Sequence, residues 1–500
     1  MRELNSSLVL WLIACGVPKV DESSSGNDET DPTGLTTDDP GGGDADTDSD
    51  SDSNADTDAD TDSDTDSDTG PTSAPAVVTA TCEAELNVLR YLCHVTVDPP
   101  QAVQIRTMRT DGVGIERVFT SDAVAAEHDL QVIFLAPEVE YTMDASTAAS
   151  PGSPVVSGLY TTGTPPTNIG SWIISTGSST FGLVGTENPC DANAVAVVYD
   201  TASGNLVWYQ NVDISGALGM LDMVRFTDER TVIGETGDKI VEMDLHGNDI
   251  ARFEVDYGGC CGLNHDIFKF DGNYYSQFQS ISGGLTLDNV VVLDGAGTEL
   301  YQWEPEDHLD IPPGANGDYL HTNTEYVDAD GNLHLSWLNQ DTVAKFIGDR
   351  ADLNWGNPIW LMSGDGRQGD LGNDIELDWS LVSGPDEFGG QHNFHGTRDG
   401  RYMMLDNDNG RGIVISLDES TMTGVVDAVY PTHEGSCGAQ GTTMDAENGN
   451  VLSACNTEWL REFDGVTAEM LWEGEVKCRN GGAGFFGVSA TRWYPLDTWE

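Results

Sequence analysis

Lysine is almost missing from this chain. It has five lysines in 500 residues, and 21 basic residues against 85 acidic ones leave a formal net charge of −64. Such a surface repels polyanions, so nucleic acid and anionic lipid headgroups are poor partners. Long hydrophobic runs are scarce as well. The run SLVLWLIA at 7–14 is too short to cross a bilayer as a stable helix and reads as the apolar centre of an export signal. Cysteine is sparse, with nine residues, and neither a CxxC pair nor a Cys/His zinc-finger spacing occurs. A structural zinc site is therefore not expected.

What is present begins with that signal. Leu12-Ile13-Ala14-Cys15 resembles a bacterial lipobox, in which the cysteine becomes the lipidated N-terminus. Gly16 in the next position favours the outer membrane over retention at the inner one. Residues 21–70 carry nineteen Asp and Glu and no Lys or Arg. Like charges repel and there is little to bury, so the expected state is a disordered, solvated tether. Its alternating aspartates lack the glycines that fold calcium loops. The expected divisions are a lipoprotein signal at 1–15, an Asp/Thr/Ser-rich linker at 16–75, a β-sandwich at 76–165 and a β-propeller at 166–500. With Cys15 lipidated, eight cysteines remain, an even number that suits disulfides in an exported chain. Cys82 and Cys93 are the expected local pair. Cys190, Cys260, Cys261, Cys437, Cys455 and Cys478 cannot be paired from spacing.

Residues 76–165 read as short strands (AVVTATC, YLCHVTV, VQIRTMRT, LQVIFL, VEYTMDAS) separated by turn residues at sandwich-like intervals. The corner at Leu135–Thr142 and the exit GLYTTGTPP resemble fibronectin type III-like domains. A spacer or a lid is the expected role. From about 166 the chain repeats a β-rich run, an Asp, a tight turn and a second run often containing Trp. Asp200, Asp244, Asp294, Asp418 and Asp464 mark five copies and Gly348 a sixth. Intervals of this size suit four-stranded blades, and six copies predict six blades. The expected fold is thus all-β, a six-bladed propeller preceded by a fibronectin type III-like sandwich.

A second repeat interleaves with the first. Its copies begin at His265, His321, His392 and Gln440. The three histidines stand seven to ten residues before the turn glycines Gly272, Gly331 and Gly400. The innermost strand of each blade lines the channel of a propeller. Equivalent positions in successive blades therefore meet near the axis, and the three histidines should converge at one mouth. His395 is out of register and is expected to support its strand. His94, His128, His246, His308 and His334 are expected on the surface or in the core, and His433 away from the site.

Taken together, these motifs resemble bacterial arylsulfate sulfotransferases over about residues 76–500. The resemblance rests on His265-Asp266 before DGNYY, His321-Thr322-Asn323 before DGNLHLS, and Gln391-His392 before DGRYMMLDN. Asp406-Asn407, the run SCGAQGTTMDAENGNVLS and Ala490–Tyr494 add to it. It implies that His392 is a nucleophile in a ping-pong transfer through a sulfohistidine. Neutral imidazole is a competent nucleophile near pH 7. His265 and His321 would complete the catalytic set as hydrogen-bond donors to the sulfuryl oxygens. Asn323, Gln391 and Arg411 are the candidate substrate contacts. An aryl sulfate donor and a phenolic acceptor are the implied partners, with neither cofactor nor metal. Membrane contact would run through the lipid anchor alone, and a second copy of the chain is a further candidate partner.

One position departs from the family pattern. Leu338 follows Ser336-Trp337 about where the family carries an arginine, which leaves Arg411 or Arg492 to supply a cation. Two other readings compete. A non-catalytic, surface-anchored propeller would bind a ligand or protein. A metal-dependent hydrolase would hold zinc on the three histidines.

Overall fold

The repeated aspartates turn the chain. Asp244 accepts the backbone N–H groups of His246 and Asn248 at 2.9 and 2.8 Å. Asp294 does the same for Ala296 and Thr298. Asp200, Asp418 and Asp464 each cap a turn through backbone N–H groups two or three residues on. A short carboxylate that bonds its own backbone competes with the ladder and ends the strand. In the copy marked by Gly348 the capping residue is its neighbour Asp349, which accepts from Ala351 at 2.8 Å. Gly348 has a different reason to be there, since a Cβ on it would meet the carbonyl oxygen of Gly331 at 1.8 Å.

The computed structural model describes residues 77–479 and 492–496, apart from 115, 152–155, 191–194, 213–222, 256–262, 365–370, 439 and 456–458. The signal, Cys15, the acidic linker, Cys260 and Cys261 lie outside the described residues. Among those described, the chain forms eight sheets. Two of them make the sandwich. Val77–Ala84, Tyr91–Gln101 and Ala125–Val132 form a three-stranded sheet, and Arg117–Thr120, Val103–Arg109, Glu140–Thr147 and Val156–Thr161 form a four-stranded one. Val95, Val97, Ile105, Val132, Tyr141 and Met143 fill the space between them, as period-two strands with one buried face require. Cys82 and Cys93 face each other across the first ladder and are bonded.

The other six sheets are the blades of a propeller. Blade 1 runs outward from Tyr494–Pro495 through Leu183–Glu187, Val195–Asp200 and Leu206–Asn211. Blades 2 to 5 start at the axis with Met223–Phe226, Leu263–Phe270, Thr322–Val327 and His392–Gly396. Blade 6 starts with Thr442–Asp445 and ends outside on Ser171–Gly177. Each chain end thus completes a blade begun by the other, which closes the ring. A disulfide between Cys190 and Cys478, 288 residues apart, ties blade 1 to blade 6. A further bridge joins Cys437 to Cys455. The recurring tryptophans Trp208, Trp303, Trp360 and Trp472 sit on the fourth strand from the axis and are fully buried between blades. Each buries a large apolar area in a contact between blades.

The sandwich belongs to the same compact unit as the propeller. Ile133, Phe134 and Ala136 share a core with Val207, Trp208 and Val224. Arg90 lies over Trp208 and donates to the His246 carbonyl at 2.8 Å and to Gln210 Oε1 at 2.8 Å. The Arg90 contacts are with the outer edge of blade 1 and a turn of blade 2, while Val224 lies on the innermost strand of blade 2. The described contacts dock the sandwich against blades 1 and 2.

Candidate functional site

Each histidine-bearing strand begins irregularly. The ladder slips between Leu263 and Ile267, between Thr322 and Thr324, and between His392 and His395. His265 stands two residues before the first regular pair of its blade, whereas His321 and His392 stand three before theirs. The histidines therefore meet through bulges and not through one shared rung. Bulges re-aim side chains in this way. The backbone is left-handed at His265 (φ 67°), His321 (φ 53°), Asn393 (φ 56°) and Gln440 (φ 61°). Such a conformation costs a non-glycine residue about 1–3 kcal/mol and collects at functional sites. All four copies of the second repeat carry it at their start.

The rings of His265 and His321 lie with centroids 4.8 Å apart. His392 is close enough for the charge of His321 to act on it. His392 is held firmly. Its Nδ1 lies 2.9 Å from the Gly390 carbonyl and 3.0 Å from Asn407 Oδ1. A carbonyl can only accept, so Nδ1 carries the hydrogen. Asn407 Nδ2 donates to the Gln440 carbonyl at 2.7 Å, which turns its oxygen toward the ring. Nε2 therefore bears the lone pair, and the Gln440 N–H reaches it at 3.3 Å. Burial, opposed by these two hydrogen bonds and aided by the charges of His321 and Arg492, pushes the His392 pKa down to about 4. At neutral pH it is an uncharged base with its tautomer fixed.

His265 is likewise pushed well below its ordinary value, first by burial and then by His321, His392 and Arg492. His321 goes the other way. Burial disfavours its charge, but its hydrogen bond to Asp318 and the charges of Asp318 and Asp288 outweigh that and raise it. Asp318 Oδ2 is 2.5 Å from His321 Nδ1. The mouth thus pairs two histidines whose charge is disfavoured with one whose charge is favoured.

Below the histidines the channel is crossed by hydrogen bonds. Arg492 makes a fork to Asp266 at 2.8 and 2.9 Å and also reaches the Asn323 carbonyl at 3.0 Å and Thr324 Oγ1 at 3.3 Å. The Asn393 N–H donates to Thr324 Oγ1 at 2.8 Å, and Thr442 Oγ1 donates to Asn393 Oδ1 at 2.7 Å. Beyond this layer, at the hairpin ends of the same strands, lies a cavity of about 480 Å³ bordered by Arg225, Tyr326, His395, Arg398 and Asp445. His395 faces that cavity and not the histidine mouth.

The remaining candidates fall into two groups. Asn323 and Gln391 are buried beside the site, yet their described bonds strap blades together. Asn323 Nδ2 donates to the Gln391 carbonyl at 2.6 Å, and Gln391 Nε2 reaches Ser336 Oγ and the Trp337 and Thr342 carbonyls at 3.2 Å. Arg411 is directed elsewhere. It binds Asp406 at 2.9 Å and the Pro385 and Glu387 carbonyls, and it lies over Trp379. Leu338 donates its backbone N–H to the His321 carbonyl at 3.0 Å, so an apolar side chain branches from the backbone next to that histidine. Among the described residues, no group of three His, Cys, Asp or Glu is arranged to hold a metal ion. Asn407, Gln440, Asp318 and Asp288 were not singled out as site residues from sequence. The first two belong to motifs quoted above. Asp318 has only its place three residues before His321 as a signal, and Asp288 has none.

A model of the arylsulfotransferase (ASST) family matches residues 174–423, half of the chain. No curated protein matches it. Several solved structures are similar at low identity. A protein of unknown function from Bacteroides caccae is 12% identical with a TM-score of 0.40, the match covering 62% of this chain and 98% of that one. A luciferin-regenerating enzyme is 12% identical with a TM-score of 0.34, covering 65% and 97%. Virginiamycin B lyase from Staphylococcus aureus is 10% identical with a TM-score of 0.32, covering 62% and 95%.

Proposed function

The chain belongs to the arylsulfotransferase family and is a transferase, and from that premise we propose a two-step transfer through His392. The Nε2 lone pair attacks the sulfur of an aryl sulfate. The S–O(aryl) bond breaks, its electron pair leaves on the phenolate oxygen, and a sulfuryl group stays on Nε2. In the second step a phenol oxygen attacks the same sulfur, and the N–S pair returns to Nε2. Splitting one transfer into two lowers each barrier. The observation that carries this reading is the tautomer of His392. Gly390 and Asn407 occupy Nδ1, so the lone pair sits on Nε2, which the Gln440 N–H reaches at 3.3 Å. His265 and His321 are adjacent donors for the sulfuryl and leaving oxygens. No step calls for a cofactor.

The test uses the full chain in detergent with 4-nitrophenyl sulfate, with and without phenol. Phenol-dependent release of nitrophenol is expected, and His392→Ala should lower it at least about a thousandfold, as loss of a covalent nucleophile does. A peptide containing His392 should gain the mass of one sulfuryl group when phenol is withheld. Release that survives His392→Ala would overturn the mechanism.

The reading includes a place for the protein. Three disulfides favour an oxidising compartment, and Cys15 would anchor the exported chain at the outer membrane, facing the periplasm or the cell surface. One acyl chain binds membranes only marginally, so anchoring depends on the multiple acylation of a lipoprotein. Cys15→Ala should move the protein from the membrane fraction to the soluble one. A variant that stays with the membrane would contradict the anchor.

A further inference from the structure

An aryl sulfate brings a negative charge, and its departure creates a second oxyanion, the phenolate. The described cations near the mouth are unequally placed to meet them. Arg492 is held by both oxygens of Asp266, and Arg411 by Asp406 and two carbonyls. His321 differs. A quarter of its side chain stays accessible, and its ring is packed against that of His265.

We propose that Asp318 is a positioning residue that keeps His321 as the imidazolium of the site, so that His321 Nε2–H protonates the departing phenolate. This rests on the transfer reading above. The Asp318–His321 pair is fixed at both ends. Gly317–Asp318 pairs in parallel with Leu285 and Thr286. Asn339 Nδ2 donates to the Asp318 carbonyl at 2.7 Å, and the Leu338 and Asn339 N–H groups donate to the His321 and Leu320 carbonyls. The next residue, Thr322, gives its N–H to Asp288 at 2.7 Å. With Asp318 on Nδ1, the other ring nitrogen makes no hydrogen bond among the described residues and can face substrate. Asp288, on the strand Leu285–Leu293, adds a second carboxyl behind the pair; burial, then Asp318, raises its pKa to about 6. On the site side the ring of His265 packs against that of His321, and the charge of His321 lowers both His265 and His392. The carboxylates prevail.

The proton balance then closes. In the first step His321 gives its Nε2 proton to the phenolate, yielding phenol and a neutral His321. In the second step the acceptor phenol gives its O–H proton to His321 Nε2 as its oxygen attacks sulfur. One proton is lent and returned per turnover, with no outside acid.

The experiment labels histidine Cε1 with ¹³C in the full chain and follows the His321 signal, assigned with His321→Gln, against pH. Rates with phenyl sulfate and 4-nitrophenyl sulfate are measured over the same range. In the wild type, His321 should titrate above its ordinary value, and the alkaline limb of kcat/KM for phenyl sulfate should coincide with it. Asp318→Asn should move both toward acid by about one pH unit or more. It should also slow phenyl sulfate more than 4-nitrophenyl sulfate, whose better leaving group needs the acid less. Asp318→Glu should restore part of each. A variant that lowers both substrates equally without moving the limb would overturn the proposal and leave Asp318 a structural residue. If Asp318→Asn does not fold, the wild-type signal decides, because a midpoint below the ordinary histidine value refutes the proposal. A chain that turns over no aryl sulfate would instead sink the transfer reading, and the His321 titration would still judge the pairing with Asp318.

Discussion

His321 and His392 lie in neighbouring blades, both begin an innermost strand at a bulge, and both have Nδ1 tied down. The pockets differ by one charge. Asp318 holds His321, while an amide and a peptide carbonyl hold His392. Burial opposes protonation in both. It prevails at His392, and at His321 the carboxylates overcome it. The comparison teaches that the total of −64 does not decide the protonation of either ring. The group at Nδ1 does, because a contact at hydrogen-bond distance in a sheltered site outweighs screened charge at long range. One pocket suits a nucleophile and the other an acid, though the residue type is the same.

The strongest way to break that contrast is to make the His392 pocket resemble the other. Asn407→Asp puts a carboxylate on Nδ1 and should raise the His392 pKa toward that of His321. Protonated Nε2 has no lone pair, so turnover at about pH 5 should fall at least about tenfold, because a pKa raised from about 4 to about 6 or above leaves about a tenth or less of the ring neutral there. The loss should shrink above about pH 8, where the ring is neutral again. Asn407→Ala serves as the control. It frees the tautomer without adding charge, so its loss should be similar at every pH. An acidic limb that Asn407→Asp leaves in place would mean that Asn407 does not govern the nucleophile.

Much of the frame was legible in the sequence, and the reason is local. Asp244 and Asp294 cap their turns through their own backbone, so the repeat can be read one strand at a time. Trp208, Trp303, Trp360 and Trp472 recur because every blade must bury one more flank. The six-bladed ring, the sandwich and the Cys82–Cys93 bridge follow from such signals. Convergence of His265, His321 and His392 was legible from their distance to the turn glycines. The bulges behind it were not, since a left-handed residue at His265 or His321 leaves no mark in residue type. Partners from other strands were equally hidden. Asn407 lies fifteen residues from His392, and Asp288 belongs to a different blade from His321. Arg411 looked available as a lone cation in an acidic chain, but Asp406 five residues away and two carbonyls take it up. Leu338 stands where the resemblance led to the expectation of an arginine, and the imidazolium proposed for His321 puts a cation beside it.

The smaller test of the comparison is thermodynamic. His392 has a folded pKa of about 4 against an ordinary 6.5. The folded chain binds fewer protons there than the unfolded one, so this group makes stability fall as pH drops from about 6.5 toward 4. The full effect is about 3 kcal/mol. His321 has the opposite sign. Its raised folded pKa contributes stability that is present below the ordinary value and is lost as pH rises through the folded one. Unfolding in urea should therefore show wild type losing ground to His392→Gln as the solution is acidified. Against His321→Gln it should gain ground at higher pH, as acidification carries the solution through the raised folded pKa toward about 6.5. Taking differences against the two variants cancels the carboxyl groups that titrate nearby, Asp288 among them, to the extent that each substitution leaves them alone. Two curves of the same sign would mean that the two pockets treat charge alike, and the division of labour between nucleophile and acid would lose its physical basis.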